Sequence, residues 1–260
     1  MFLENCRMIA NFYHYQLICY KIGKKKSLRR FRMKKEKVLR VASVLLIVTG
    51  IILLALPYIN QWRVGDRSEK NHDVAIEMSA EQMQENMNTD TTFDFDSIDE
   101  ISVSGAFLSP DMIDPSLIIG RLYIPSIDIN LTVFNGLTNY ILHAGLGTMR
   151  PNVKMGEGNF PIAGHYSRNE DILFGNLGAI EIGDEIYLTD NETVYEYHVY
   201  ETRKVMPSEV NWIKDEVAEE RGVPVISLMN CFYENGVNSG LRYFVFGELV
   251  ATHSISDSVL

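Results

Sequence analysis

Polar and apolar positions alternate differently in three stretches of the chain, and each pattern predicts a different element. Val41 to Ile59 is an uncharged and almost wholly apolar run. It has the length needed to cross roughly 30 Å of hydrocarbon as a helix, so a single transmembrane helix is expected there. Asp66 to Glu100 is polar and rich in acids. Ile76, Ala80, Met83 and Met87 fall at helical spacing within it, but the composition favours a mostly solvated tether over a helix docked on a neighbouring domain. From Leu117 the period shortens to that of strands, with runs at 117–125, 127–133, 159–165, 185–189, 193–200, 223–229 and 241–250. Asn135-Gly136, Asp190-Asn191 and Glu234-Asn235-Gly236 are turn signals between such runs. Short helices are expected at 139–144, 171–176 and 212–220. Many short strands with few helices indicate a mostly β fold, a closed or nearly closed β-barrel.

Charge sharpens the first of these stretches. The 260 residues carry a net charge of −10 and are 46% hydrophobic, enough for one folded domain with appendages. Residues 21–40 nevertheless hold a dense run of lysine and arginine against the single acid Glu36. Such a run could bind nucleic acid, but an apolar span follows it at once. It is therefore read as the cytoplasmic flank of a membrane anchor, with no nucleic-acid partner, a membrane-embedded helix and the rest of the chain outside the cell. No small-x-small cleavage site follows Ile59, so a retained signal anchor is expected rather than a cleaved signal peptide. Met33 begins Met-Lys-Lys-Glu-Lys-Val-Leu, an ordinary start for such an anchor, and translation from Met33 would remove Cys6 and Cys19. The expected organisation is a basic cytoplasmic segment at 1–40 (1–32 not necessarily translated), the anchor at 41–59, an acidic extracellular linker at 60–110, a folded β-barrel at 111–252 and a polar tail at 253–260.

The exported part holds one cysteine, Cys231, which cannot form an internal disulfide. It is either an inert core thiol or a nucleophile. Cys231 ends one apolar run and Arg242 opens the next, so an antiparallel pairing of the two strands would make them neighbours. A cation beside a thiol favours the thiolate, and a guanidinium can stabilise a developing oxyanion. His165 follows Ala163-Gly164 at a strand end and is the candidate proton carrier, whereas His143, His198 and His253 are read as structural or solvated.

Together these residues resemble the sortases, cysteine transpeptidases of Gram-positive cell surfaces. Ser227-Leu228-Met229-Asn230-Cys231 matches the family's Thr-Leu-x-Thr-Cys strand ending, Ala163-Gly164-His165 its Ala-Gly-His turn, and Arg242 the arginine that opens its final strand. Ile119 to Ile127 and Asp171 to Leu177 extend the likeness, which spans 117–250 in family order. The resemblance implies a sortase-like closed β-barrel in which Cys231, His165 and Arg242 are catalytic, and Asn230, Ala163, Val205, Ser227 and Met229 contact substrate. It implies a membrane-anchored enzyme that needs no cofactor. Its substrates would be secreted proteins with a C-terminal Leu-Pro-x-Thr-Gly-type signal, cut between Thr and Gly and passed through a thioester to a cell-wall precursor amine. The housekeeping class A is indicated by the N-terminal anchor, the polar C-terminal end and Ser116 after Asp114-Pro115, where pilus-building class C enzymes carry an aromatic. Class A calcium sites use clustered acids ahead of the histidine strand. The stretch 148–159 offers only Glu157, so no metal is expected. Asn230 departs from the family's threonine and implies altered efficiency or altered fit to the substrate's threonine. The alternatives are a pilin-polymerising class C-like enzyme, a hydrolytic cysteine peptidase, and a non-catalytic surface module with Cys231 in its core.

Overall fold

The computed structural model describes residues 2–95, 112–234 and 236–257. Residues 96–111, which include the end of the expected linker and the start of the expected barrel domain, lie outside the described residues, as do the turn residue Asn235 and the tail from 258. The chain divides into two compact units, residues 1–56 and 57–260. Helix α1 spans Phe2–Glu77 and includes Pro57. Its stretch Lys35–Glu77 contains a segment long and apolar enough to cross a membrane. Leu46 and Leu54 in that segment expose about three quarters of their surface.

The second unit is a closed eight-stranded barrel with the order β1-β2-β3-β4-β7-β8-β6-β5. The strands are β1 Ile118–Ile124, β2 Ile129–Phe134, β3 Leu146–Thr148, β4 Asn159–Gly164, β5 Glu185–Thr189, β6 Thr193–Val205, β7 Val225–Glu234 and β8 Val237–Ser254. Strands β2 with β3 and β4 with β7 pair in parallel, and the other neighbours are antiparallel. Closure leaves no sheet edge exposed for wrong pairing. The interior is filled by alternate residues such as Leu122, Phe160, Ile162, Tyr197, Ile226, Leu228 and Val245.

A second apolar layer covers part of the outside. Val225, Phe244, Phe246, Ala163 and Val205 are buried there with Ala218, and Trp212, Ile213 and Val217 pack on them. This cover is a 3-10 turn, Val210–Ile213, followed by helix α4, Glu216–Arg221. Strands β4 and β7 are thus buried on both faces, which is why they read as continuous apolar runs rather than alternating ones.

The acidic stretch departs from the sequence expectation. Residues expected as a solvated tether pack on the barrel: Val64 joins the interior cluster, while Ala75 and Met83 join the outer one. The helix α2, Ala80–Asn86, is capped by Ser79, whose side chain accepts from the Gln82 N–H. Asn86 Nδ2 donates to the carbonyls of Pro115 and Ile118 at 2.9 and 2.7 Å. Acids on one face of these helices made the segment look solvated, but the apolar positions on the other face found a partner surface. Two further differences are local. Strand β3 is only three residues long and carried no readable pattern. The helix expected at 171–176 is a series of turns, with Leu173 at φ 52° and a 3-10 turn at Leu177–Ala179.

Candidate active site

The pleat selects which residues meet. Ala163 and His165 on the β4 side, Met229 and Cys231 on β7, and Arg242 and Phe244 on β8 share one parity on three adjacent strands. Register completes the alignment, with Ala163 opposite Met229, Met229 opposite Phe244 and Cys231 opposite Arg242. Directly opposed residues of an antiparallel pair project to the same face. All six line one pocket of about 390 Å³. Its other walls are Met206, Pro207, Glu209, Val210 and Ile213 from the segment joining β6 to β7, with Leu142, Met149, Gly164 and Phe95. The pocket therefore combines apolar walls with the thiol of Cys231, the imidazole of His165 and the guanidinium of Arg242 on its lining.

His165 is held by its backbone and by tight packing beneath it. The Phe174 N–H donates to the His165 carbonyl at 3.1 Å. The preceding Gly164 has no room for a side chain, since a Cβ there would sit 2.6 Å from Phe174 Cδ2 and 2.7 Å from Leu146 Cδ2. That close approach is the physical content of the Ala-Gly-His motif. Burial, and secondarily the His143 imidazole, push the His165 pKa down to about 3. At neutral pH its imidazole is uncharged and able to accept a proton. His143 is also buried, and its ring stacks on His165 with centroids 5.0 Å apart and planes 28° from parallel.

The remaining substrate-contact residues expected from sequence lie elsewhere. Asn230 sits between Met229 and Cys231 and so faces the barrel interior. It is buried, and its Nδ2 donates to the Phe174 carbonyl at 3.0 Å. Ser227 is buried beneath the outer cover and donates to Asn159 Oδ1 at 2.7 Å. Val205 is buried opposite Arg242 on β6. None of these three lines the pocket, whereas Ala163 and Met229 do.

The sequence reading missed what holds the wall. Asn159 Nδ2 donates to the carbonyls of Trp212 and Lys214 at 3.1 and 3.0 Å, and Asp215 Oδ1 accepts from the Asn159 N–H at 2.9 Å and from Arg150. The Asp114-Pro115 dipeptide starts a 3-10 turn in which Asp114 accepts from the Ser116 N–H, holding its carboxyl below the usual range. Asp114 does not line the pocket. One Glu and His cluster, Glu185, Glu196 and His198, lies on the outer faces of β5 and β6, apart from this site.

Comparison with known proteins agrees with the geometry. The sortase domain family model matches residues 122–250. Sortase A of Listeria monocytogenes is 33% identical over 217 residues, covering 84% of this chain and 94% of that protein. Sortase A of Bacillus anthracis is 30% identical over 220 residues, covering 85% and 98%. Among solved structures, sortase C-3 of Streptococcus pneumoniae superposes with a TM-score of 0.52 at 24% identity, covering 72% of this chain and 93% of that one, a likeness of fold. With relatives matched along almost their whole length and the thiol, imidazole and guanidinium gathered on one barrel face, the chain belongs to the sortase family of cysteine transpeptidases, on the side of its sortase A members.

Proposed function

We propose that this protein joins secreted proteins to the cell wall by cutting a Leu-Pro-x-Thr-Gly-type sorting signal between Thr and Gly, with Cys231 as nucleophile. The observation that carries the reading is the placement of Cys231, Arg242 and His165 in one apolar pocket. Cys231 Sγ attacks the threonine carbonyl carbon and gives its proton to the neutral His165 imidazole. Arg242, directly across the ladder, donates hydrogen bonds to the oxyanion. The tetrahedral adduct collapses, the Thr–Gly bond breaks, and the His165 imidazolium passes its proton to the departing glycine amine. A cell-wall precursor amine then attacks the thioester, returning a proton through His165 and the thiol to Cys231. The imidazolium exists only briefly and beside the oxyanion, which offsets the cost of charging a buried ring.

The apolar walls, Met149, Ala163, Val210, Ile213 and Met229, suit the extended leucine and proline of such a signal. The basic residues at 21–40 ahead of the apolar stretch of α1 support a cytoplasmic N-terminus and an external barrel. The test is intact-mass trapping of an acyl-enzyme with a Leu-Pro-x-Thr-Gly peptide, beside Cys231→Ala. The expected adduct retains the peptide through threonine and is absent from the variant. Adding an amine acceptor should yield ligated product faster than hydrolysed product. An adduct on the variant, or none on the native protein, overturns the reading.

A further inference from the structure

His143 is the feature that the mechanism above does not use. It caps the C-terminal end of helix α3, Asn139–Leu142, whose start is fixed by Thr138 accepting from the Ile141 N–H at 3.3 Å. This places its imidazole against the face of the His165 ring, 5.0 Å between centroids. Both rings are almost fully buried, at 2% and 4% exposure. His143 does not line the pocket, although its neighbour Leu142 does. It therefore stands behind His165, away from the pocket lining.

The charges around the pair define what it can do. Arg67, fully buried on α1, acts on His143 from one side and disfavours its protonation. His143 in turn acts on His165 and disfavours its protonation. Around His165, the pocket adds Cys231 from β7, Arg242 from β8 and Glu209 from the segment after β6. Two imidazolium ions stacked at this distance would repel strongly in a dry site, so the pair holds at most one proton. When His165 carries it, His143 is the neutral partner. A neutral aromatic face against a transient cation is a favourable arrangement, and a stacked ring also limits rotation about the last side-chain torsion of His165.

We propose that His143 is a positioning residue for His165, fixing the plane of its ring and presenting a neutral face to the imidazolium formed in each turnover. This rests on the catalytic reading of His165 given above. The experiment compares His143→Phe, which keeps an aromatic face, with His143→Leu, which removes it, in the full chain. In the Leu variant kcat should fall about 10- to 100-fold with KM within about two-fold, as misplacement of a reacting group does. The Phe variant should recover to within about three-fold of the native rate. In the Phe variant, which keeps the face but cannot carry charge, the acidic limb of kcat/KM should move to higher pH, because repulsion from a protonated His143 is gone. The NMR signals of the His165 ring protons should stay shifted by the stacked ring in the Phe variant and lose that shift in the Leu variant. A fully active Leu variant, a folded Phe variant as slow as Leu, or an acidic limb unmoved in the Phe variant overturns the proposal. If the native protein forms no acyl-enzyme, the catalytic reading fails instead, and the ring-proton shifts alone decide whether His143 positions His165.

Discussion

Asn230 and His165 are tied to the same residue: the Phe174 carbonyl accepts from Asn230 Nδ2 at 3.0 Å, and the Phe174 N–H donates to the His165 carbonyl at 3.1 Å. The side chain that departs from the family's threonine thus sits in the support of the histidine turn. Its Oδ1 is buried without a hydrogen-bond partner among the described residues. Asn230→Thr replaces the amide donor with a shorter side chain and removes one of the two bonds reaching Phe174 O, the other coming from the Leu177 N–H at 3.4 Å. A loss of about 1 kcal/mol is expected, read as a lower denaturation midpoint. Since Asn230 faces away from the pocket, kcat should change through the histidine turn while preference along the peptide stays the same. A changed sequence preference with unchanged kcat would contradict this.

The three chemical groups were legible in the sequence because each lies at a strand end where pattern, turn signals and motif coincide. The residues that line the pocket around them were less so. Alternation alone sets Asn230 opposite to Met229 and Cys231, and a period-two reading of that strand could have found it. Ser227 shares the parity of Cys231, but it is buried and bonded to Asn159, far away in sequence. Met149 and Phe95 reach the pocket from loops whose paths no local pattern encodes, and the helix carrying Leu142 was readable but its position against the pocket was not. His143 was read as structural because nothing in a sequence reveals that two histidines stack.

Arg242 faces Cys231 across β7 and β8 and lines the same pocket. If it stabilises the oxyanion, Arg242→Ala should lower kcat by about 10²- to 10³-fold, the usual cost of one such donor. Arg242→Lys should recover only part of that, because an ammonium lacks the planar fork of donors. Single-turnover acylation rates with one peptide measure both. Equal rates for native and Ala proteins would leave Arg242 without this role.

Burial makes the histidine pair acid-sensitive. In the unfolded chain both residues titrate near their ordinary value of 6.5, but in the fold His143 does so at about 4 and His165 at about 3. Between those limits the unfolded chain binds more protons, so stability is full above about pH 6.5 and falls as the pH drops toward 3. The loss per histidine is on the order of 3–5 kcal/mol when the whole window is crossed. Thermal melts from pH 8 to pH 4 should show the decline, and His143→Phe should flatten it relative to the native chain.

The wall formed by Val210 and Ile213 depends on Asn159 and Asp215. Asp215→Ala removes the acceptor shared by Arg150 and the Asn159 N–H. The segment that lines the pocket should loosen, raising KM several-fold while Cys231, His165 and Arg242 remain in place. Peptide titrations with the native and variant proteins separate KM from kcat. A fall in kcat at constant KM would place the effect in the reacting groups rather than the wall.

The helices before the barrel distinguish a tether from part of the fold. Met83 on α2 is fully buried within the outer cluster alongside Ala75, Ile118, Phe134 and Leu137. Cutting such a side chain to Ala forfeits its transfer free energy and leaves a cavity, about 2–5 kcal/mol for methionine. A solvated tether would lose nothing. Chemical denaturation of Met83→Ala should show the larger loss in a single transition shared by helix and barrel signals, because α2 contributes to the same buried surface as β1 and β2. Two separate transitions, or a midpoint unchanged from the native protein, would mean that α2 is held independently of the barrel.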